Sequence, residues 1–285
     1  MSNQLPETFA VFILTHGRPD NVQTIKTLAS CGYTGRLYLI VDDEDRQASE
    51  YVARFGADRV VVFNKKDEAD RCDEGNNFDE RRTITMARNA CFAIAQGLGV
   101  THFLELDDDY KQFKFRFENK LGFEAKVRNI DRVFAAFLRF YEASGAHAVA
   151  FSQGGDHIGG FSRTALKRKA MNSFFCSTLR PFRFVGAMNE DVNTYTTLGS
   201  RGARFFTFTS VQLDQAATQS RDGGITGMYL RFGTYCKALT TVMMMPSSVR
   251  VSMMNTKHPR IHHVIDWKRT VPRIVSSRYR RTSDG

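Results

Sequence analysis

Carboxylates gather at three places where an apolar or helical pattern begins or gives out. Asp107-Asp108-Asp109 follows the run Phe103–Leu106, Asp42-Asp43-Glu44-Asp45 follows Leu37–Val41, and Asn189-Glu190-Asp191 follows Gly186 at the start of a helical pattern. Alternate residues of an extended chain point the same way, so Asp107 and Asp109 can converge on one cation. Hard divalent ions such as Mg2+ and Mn2+ take carboxylates together with phosphate oxygens and water, which is how enzymes hold a diphosphate. A solvated acidic turn is the plain alternative, and the position after a buried strand favours the metal. Asp42 is placed to accept hydrogen bonds from a ribose or a base edge. Asp45 suits the cap and first turn of the helix that follows. Glu190 and Asp191 either cap a helix or supply a general base for an attacking hydroxyl.

Basic and imidazole groups lie around these acids. Arg81, Arg82, Arg88 and Asn89 fall on a helical stretch ahead of the Asp triplet, where one arginine aimed at a pyrophosphate and ordinary surface arginines are equal readings. His258, His262 and His263 stand close to Asp266 and Trp267, at spacings that match no zinc motif. The tail Lys268, Arg269, Arg273, Arg278, Arg280 and Arg281 would attract phosphates.

The elements that must position these groups follow from periodicity. Continuous apolar runs at Phe9–Thr15, Leu37–Val41, Arg59–Phe63 and Thr101–Leu106 predict buried strands, separated by helical patterns over Asn21–Ser30, Gln47–Phe55 and Glu80–Leu98. Such alternation predicts a parallel sheet covered on both faces, with ligands at the C-terminal strand ends. Lys65–Asp79 reads as a loop. Beyond residue 110 the order changes. Gln112–Phe117 alternates like a half-exposed antiparallel strand, Asp131–Ala143 is an amphipathic helix, and Ala148–Ser152 and Arg204–Thr209 are strands around the helix Asp191–Leu198. Thr226–Met245 is Met- and Tyr-rich with helical spacing and reads as core, and Lys257–Arg281 is basic and irregular. The expected organisation is a domain over 1–256 followed by a basic extension over 257–285 that completes the site.

Composition bounds the function. The 285 residues include 42% apolar side chains and 24 Phe, ample for a core and against general disorder. A formal charge of +10 suggests a polyanionic partner such as nucleic acid. No apolar run approaches the ~20 residues that span a bilayer, so no membrane partner is expected. Met1–Glu7 lacks the features of a signal peptide. Five scattered cysteines without a CxxC pair argue against a zinc ribbon or disulfide framework and for reduced thiols.

The order of these features along the chain resembles the GT-A glycosyltransferases. The matching positions are Thr15–Pro19, Asp42, Ala87-Arg88-Asn89, the DxD-like Asp107–Asp109 and the downstream acidic Asn189-Glu190-Asp191. Further on, Gly223-Gly224, Gly233-Thr234-Tyr235-Cys236-Lys237, Met245-Pro246-Ser247-Ser248 and His262-His263-Val264-Ile265-Asp266-Trp267-Lys268 followed by Val271-Pro272 are similar to the phage TET-associated glycosyltransferases. The resemblance implies a single α/β domain, with a GT-A-like, Rossmann-type mixed sheet flanked by helices. It implies a UDP-sugar donor, Mn2+ or Mg2+, and 5-hydroxymethylpyrimidine in phage DNA as acceptor, 5-hydroxymethylcytosine first, in the cytoplasm of a bacterial host. It gives Thr15, Gly17, Arg18, Asp42, Arg88, Asn89, Asp107 and Asp108 to the nucleotide sugar. Asp107 and Asp109 would hold the metal, with His263, or next His262, completing its shell. Asp191, or after it Glu190, would face the acceptor hydroxyl. Lys268, Arg269, Arg273 and Arg278 would meet DNA, and Trp267 or Phe115 could stack on an extruded base. A glycan or small-molecule acceptor, a non-catalytic DNA-binding module and a metal-dependent nuclease are the alternative readings.

Overall fold

A computed structural model describes residues 4–73, 81, 83–117, 123–157, 169–215, 233, 235–254 and 259–271. The first half follows the alternation expected. Strands β1 (Phe9–Leu14), β2 (Arg36–Asp42), β3 (Val60–Phe63) and β4 (His102–Asp107) alternate with helices α1 (Gln23–Ser30), α2 (Ala48–Phe55), α3 (Lys65–Ala69) and α4 (Thr85–Gly97). The strands pair in parallel in the order β3-β2-β1-β4. Helix α3, capped by the Asn64 side chain on the Asp67 amide, occupies part of the stretch read as loop. Its five residues are too few for a periodic signal. Helix α4 begins five residues later than its pattern suggested.

The second half extends the sheet with mixed polarity. It contains β5 (Tyr110–Phe117), β6 (Phe123–Lys126), α5 (Ile130–Ser144), β7 (Ala148–Ser152), β8 (Ser173–Ser177), α6 (Glu190–Ser200) and β9 (Phe205–Gln215). The full order is β3-β2-β1-β4-β8-β7-β9-β5-β6. Strand β8 runs antiparallel between β4 and β7, at the centre of the sheet. Its five residues, SFFCS, are all buried, but so short a run between unpatterned segments gave no reading of its own.

Alternation along β1 divides the core into two layers. Phe9, Val11 and Ile13 join residues of α1, α2 and α5, whereas Ala10, Phe12 and Leu14 join residues of α4 and α6. Helices therefore cover both faces, as continuous apolar strands require. The first layer is built on aromatic contacts, with the Phe137 ring centroid 4.6 Å from Phe151 and 5.1 Å from Phe175.

The last elements form a separate layer beside α6. Helix α7 (Tyr235–Met244) packs against an antiparallel ribbon of β10 (Val249–Met254) and β11 (Arg260–Ile265), and the short helix α8 (Trp267–Thr270) packs on α6. The stretch read as irregular thus holds a strand and a helix, because β10 supplies the partner that β11 needs and local sequence cannot show it. Trp267 stacks on Tyr195 with ring centroids 5.8 Å apart, so its ring is used within the protein. The expected Arg82, Gly223, Gly224, Thr234, His258, Pro272, Arg273, Arg278, Arg280 and Arg281 lie outside the described residues. Among the described residues, no helix is long and apolar enough to cross a membrane.

Candidate active site

The C-terminal ends of β1, β2, β3 and β4 deliver polar groups to one edge of the sheet. After β1, Gly17 takes φ +67°, a left-handed conformation open to glycine, and its amide donates to Asp45 Oδ2 at 2.6 Å. Thr15 Oγ1 donates to Asp108 Oδ2 at 2.7 Å, and Arg18 Nε lies 3.3 Å from the same oxygen. Tyr51, buried on α2, accepts from the Arg18 amide at 2.8 Å and stands 2.9 Å from Thr15 Oγ1. Its hydroxyl thus fixes the β1 loop against the Asp triplet. Asp45 Oδ1 accepts from the Gln47 amide at 2.9 Å, but α2 starts at Ala48 behind a Gln47 cap position, so Asp45 shapes the turn ahead of the helix and is neither the cap nor the first-turn acid expected.

Asp42 is held from both sides. His16 Nδ1 lies 2.7 Å from Oδ2, and Lys65 Nζ lies 3.3 Å from Oδ1. Burial pushes the Asp42 carboxyl up, but the His16 and Lys65 contacts outweigh it and hold it below the usual range. The Asp42 hydrogen bond raises His16 in turn. Sequence reading missed His16, Tyr51 and Lys65. Lys65 stands two residues past the end of β3, so the strand-end rule could have found it.

The Asp triplet splits in the turn that follows β4. Asp108 turns toward Thr15 and Arg18, whereas Asp107 meets Arg88 and is raised in part by the nearby Asp109 charge. Helix α1 fixes their backbone. The Thr24 amide donates to Asp108 O at 3.1 Å, and Thr24 Oγ1 donates to Asp107 O at 2.6 Å and accepts from the Tyr110 amide at 3.0 Å. One of the orphan amides at the start of α1 is thereby satisfied by the acidic turn itself. Asp109 Oδ1 is buried and has no hydrogen-bond partner.

Arg88 is the hub beneath this edge. It is 1% exposed, with Nη2 3.1 Å from Asp107 Oδ1, Nη1 3.4 Å from Glu105 Oε2 and Nε 3.2 Å from Glu190 Oε1. Burial pushes Asp107 up to about 7 and Glu105 up to about 8, and Arg88 opposes both shifts. The guanidinium expected at a pyrophosphate is therefore spent on three internal carboxyls. Asn89 is likewise turned inward, donating to Phe184 O at 3.1 Å and accepting from the Phe184 amide at 2.8 Å. These bonds place Arg88 and Asn89 behind the site. Glu105 escaped sequence reading, although a lone acid in the buried run FLEL was a signal that something must pair it.

At the start of α6, Asn189 adopts φ +55° and its side chain donates to Lys237 O at 2.8 Å and Thr241 Oγ1 at 2.9 Å. Asparagine tolerates that left-handed backbone better than most residues. The turn separates the two acids. Glu190 meets Arg88, whereas Asp191 is raised to about 6 by burial and by the Glu190 charge, against the pull of Lys237. Asp191 is the carboxyl left free of an arginine partner in this pair, although its Oδ1 accepts from the Val192 amide at 2.7 Å.

Asp107 and Asp109 fit a divalent cation by their oxygen donors, by the partnerless Asp109 Oδ1 and by the burial that resists the Asp107 charge. His263 is also partnerless at both ring nitrogens, and burial with His262, Lys169 and Lys237 lowers it to about 3, so it is a neutral imidazole. His262 is lowered to about 4, first by burial and then by Lys169. Among the described residues, however, no three His, Cys, Asp or Glu side chains are gathered as a metal cage. The structure brings Asp107 and Asp109 together and keeps the histidine pair on β11, beside Lys237. Lys268 and Arg269 are exposed on α8, with Arg269 Nη1 donating to Ser247 O at 2.9 Å.

The family model for TET-associated glycosyltransferases matches residues 9–224, from β1 past β9. This chain belongs to the TET-associated glycosyltransferases. The match spans every carboxylate from Asp42 to Asp191. Among solved structures, this glycosyltransferase is similar to glucosyl-3-phosphoglycerate synthase from Mycobacterium tuberculosis in complex with Mg2+ and UDP, with a TM-score of 0.46 and 10% identity, covering 90% of this chain and 87% of that one. It is also similar to TarS of S. aureus, with a TM-score of 0.43 and 11% identity, covering 82% of this chain and 39% of that one. No curated protein matches the chain by sequence.

Proposed function

We propose that this glycosyltransferase moves a sugar from a UDP-sugar to the hydroxymethyl group of a 5-hydroxymethylpyrimidine in DNA, 5-hydroxymethylcytosine first, in the cytoplasm of an infected bacterial host. The family match over residues 9–224 carries the reading, because it spans both the donor-side and the acceptor-side carboxylates. The family's description as TET-associated supports the acceptor. The charge of +10 supports a polyanionic one.

On the donor side, Thr15, Gly17, Arg18 and Asp42 line the nucleotide, and Asp108 holds the Thr15–Arg18 loop in shape. Asp107 and Asp109 would hold Mn2+ or Mg2+, and His263 or His262, which are not gathered with them in the structure, would be the further ligand. When bound, that cation neutralises charge on the departing diphosphate. On the acceptor side, a primary alcohol is a poor nucleophile at neutral pH, so an inverting displacement needs a carboxylate base. Asp191 takes the hydroxyl proton as the oxygen bonds to the anomeric carbon and UDP leaves, while Glu190 stays engaged with Arg88. Lys268 and Arg269, with Arg273 and Arg278 beyond them, attract the DNA backbone.

The test is incubation with Mn2+, a panel of UDP-sugars and DNA carrying 5-hydroxymethylcytosine, followed by digestion to nucleosides and mass spectrometry. A sugar-sized gain on the modified base, lost in Asp109→Ala, is the expected result. UDP release without any gain on the base points to a glycan or small-molecule acceptor. Unchanged turnover in Asp109→Ala would sink the metal assignment.

A further inference from the structure

Exposed apolar side chains concentrate on the layer formed by α7, β10 and β11. Tyr235, Leu239 and Met243 follow one another at four-residue spacing on α7, with Met243 65% exposed. On the ribbon, Met253 is 55% exposed and pairs directly with Ile261, and Val251, two residues before Met253, shares their face and is exposed as well. Among the described residues, the other exposed large apolar side chains are Val264, on the opposite ribbon face, and Val62 and Leu179 elsewhere. Large exposed apolar side chains concentrated on one layer of a folded protein point to a contact surface.

Charge identifies the partner. Residues 223–265 contain no Asp or Glu, while Arg250 and Arg260 stand exposed on the ribbon face that alternates with Met253. Two copies of this chain meeting through this layer would set like charges against each other, whereas a polyanion would be attracted. The layer is also fixed to the acceptor side. Asn189, next to Glu190 and Asp191, binds α7 through Lys237 O and Thr241 Oγ1. Gly199 of α6 comes so close to α8 that an added Cβ would lie 2.5 Å from Thr270 O. The layer is therefore anchored beside the turn that carries Glu190 and Asp191.

We infer that α7 and the β10–β11 ribbon form the surface on which duplex DNA docks. Met253, Ile261 and Val251 press on the bases, and Arg250 and Arg260, at opposite ends of the other ribbon face, reach round the ribbon's edges to flanking phosphates. This inference rests on the DNA-acceptor reading above. A two-stranded ribbon fits the major groove, about 12 Å wide. Apolar side chains pressed between base steps lower the cost of extruding a base for chemistry on it. The cations set affinity, and the apolar face sets where the duplex opens.

The experiment measures binding of a 5-hydroxymethylcytosine duplex by fluorescence anisotropy across a salt series, with sedimentation velocity and UDP release without DNA as companion readouts. The proteins are the full chain, Arg250→Ser/Arg260→Ser and Met253→Ser/Ile261→Ser, all substituted at exposed positions. Removing the arginines is expected to weaken binding about tenfold or more at low salt and to reduce the salt slope by about 2. Removing the apolar pair is expected to weaken binding at an unchanged salt slope and to suppress transfer to duplex more than transfer to single strands. UDP release without DNA stays unchanged in both. If the full chain binds DNA and neither variant alters affinity or slope, the docking surface is wrong and the DNA reading stands. If the full chain binds no DNA, the acceptor reading fails and takes the inference with it. A dimer that Met253→Ser/Ile261→Ser disperses with DNA affinity intact, or binding to phosphatidylserine vesicles lost in the variants with DNA affinity intact, overturns it as well.

Discussion

Replacing Arg88 by Met tests the hub beneath the active edge. Met keeps an unbranched side chain against Phe174 and Phe184, whose ring centroids lie 5.0 and 5.7 Å from the guanidinium, but it removes the charge shared by Glu105, Asp107 and Glu190. Breaking a buried ion pair by deleting one partner costs about 3–5 kcal/mol, because the remaining charge is left buried and unpaired. Three carboxyls share this cation, so the loss should reach that range at pH 8. Protonation offers them an escape at lower pH. With Arg88 present, burial already raises Glu105 to about 8 and Asp107 to about 7, and losing the cation raises both further. A carboxyl raised in the folded state contributes stability that is fully present below its unfolded value and lost as pH rises through its folded one. Each extra proton held by the native variant steepens that loss by about 1.4 kcal/mol per pH unit. The variant's deficit should therefore grow from about 1–2 kcal/mol at pH 5 to about 3–5 kcal/mol at pH 8. Urea unfolding followed by circular dichroism at pH 5, 6, 7 and 8 measures it. A deficit below about 1 kcal/mol at pH 8, or one independent of pH, would refute the hub.

Asp191, raised to about 6, should impose a rate that climbs with pH through about 6 and then levels. Asp191→Asn should lower kcat by about a hundredfold or more while leaving stability at pH 8 equal to or above the parent's, since a buried charge is removed. A pH–rate profile and a thermal melt read both, and an unshifted rate would transfer the base role elsewhere. Gly186 has φ +86°, and an added Cβ would lie 2.3 Å from Asn193 Nδ2, which bonds Val185 O and Met188 O. Gly186→Ala should therefore cost about 1–3 kcal/mol and lower kcat together with stability, because the displaced loop leads into Glu190 and Asp191. A melt within a degree of the parent's would show that the loop yields without strain.

Sequence alone determined what depends on neighbours along the chain. The unbroken apolar runs that became β1, β2 and β4 required burial on both faces, so the parallel half of the sheet and its polar strand ends were legible. The acidic triplet behind the apolar run was likewise legible as a strand end, whereas the turn over Asp108 and Asp109, outside any extended strand, decided where each carboxyl points. Tertiary structure decided what depends on residues far apart. Strand β8 takes its place between β4 and β7 through pairing that its five residues do not encode. Strand β11 is a strand because β10 lies beside it. Arg88, 102 residues from Glu190, reads locally as a helix-surface cation, and only packing turned it inward onto three carboxyls. The apolar face of α7 reads as core by its spacing, yet the fold leaves Tyr235, Leu239 and Met243 facing outward. Periodicity states that a face is apolar; the elements packed around it decide whether that face is covered by the chain or left for a partner.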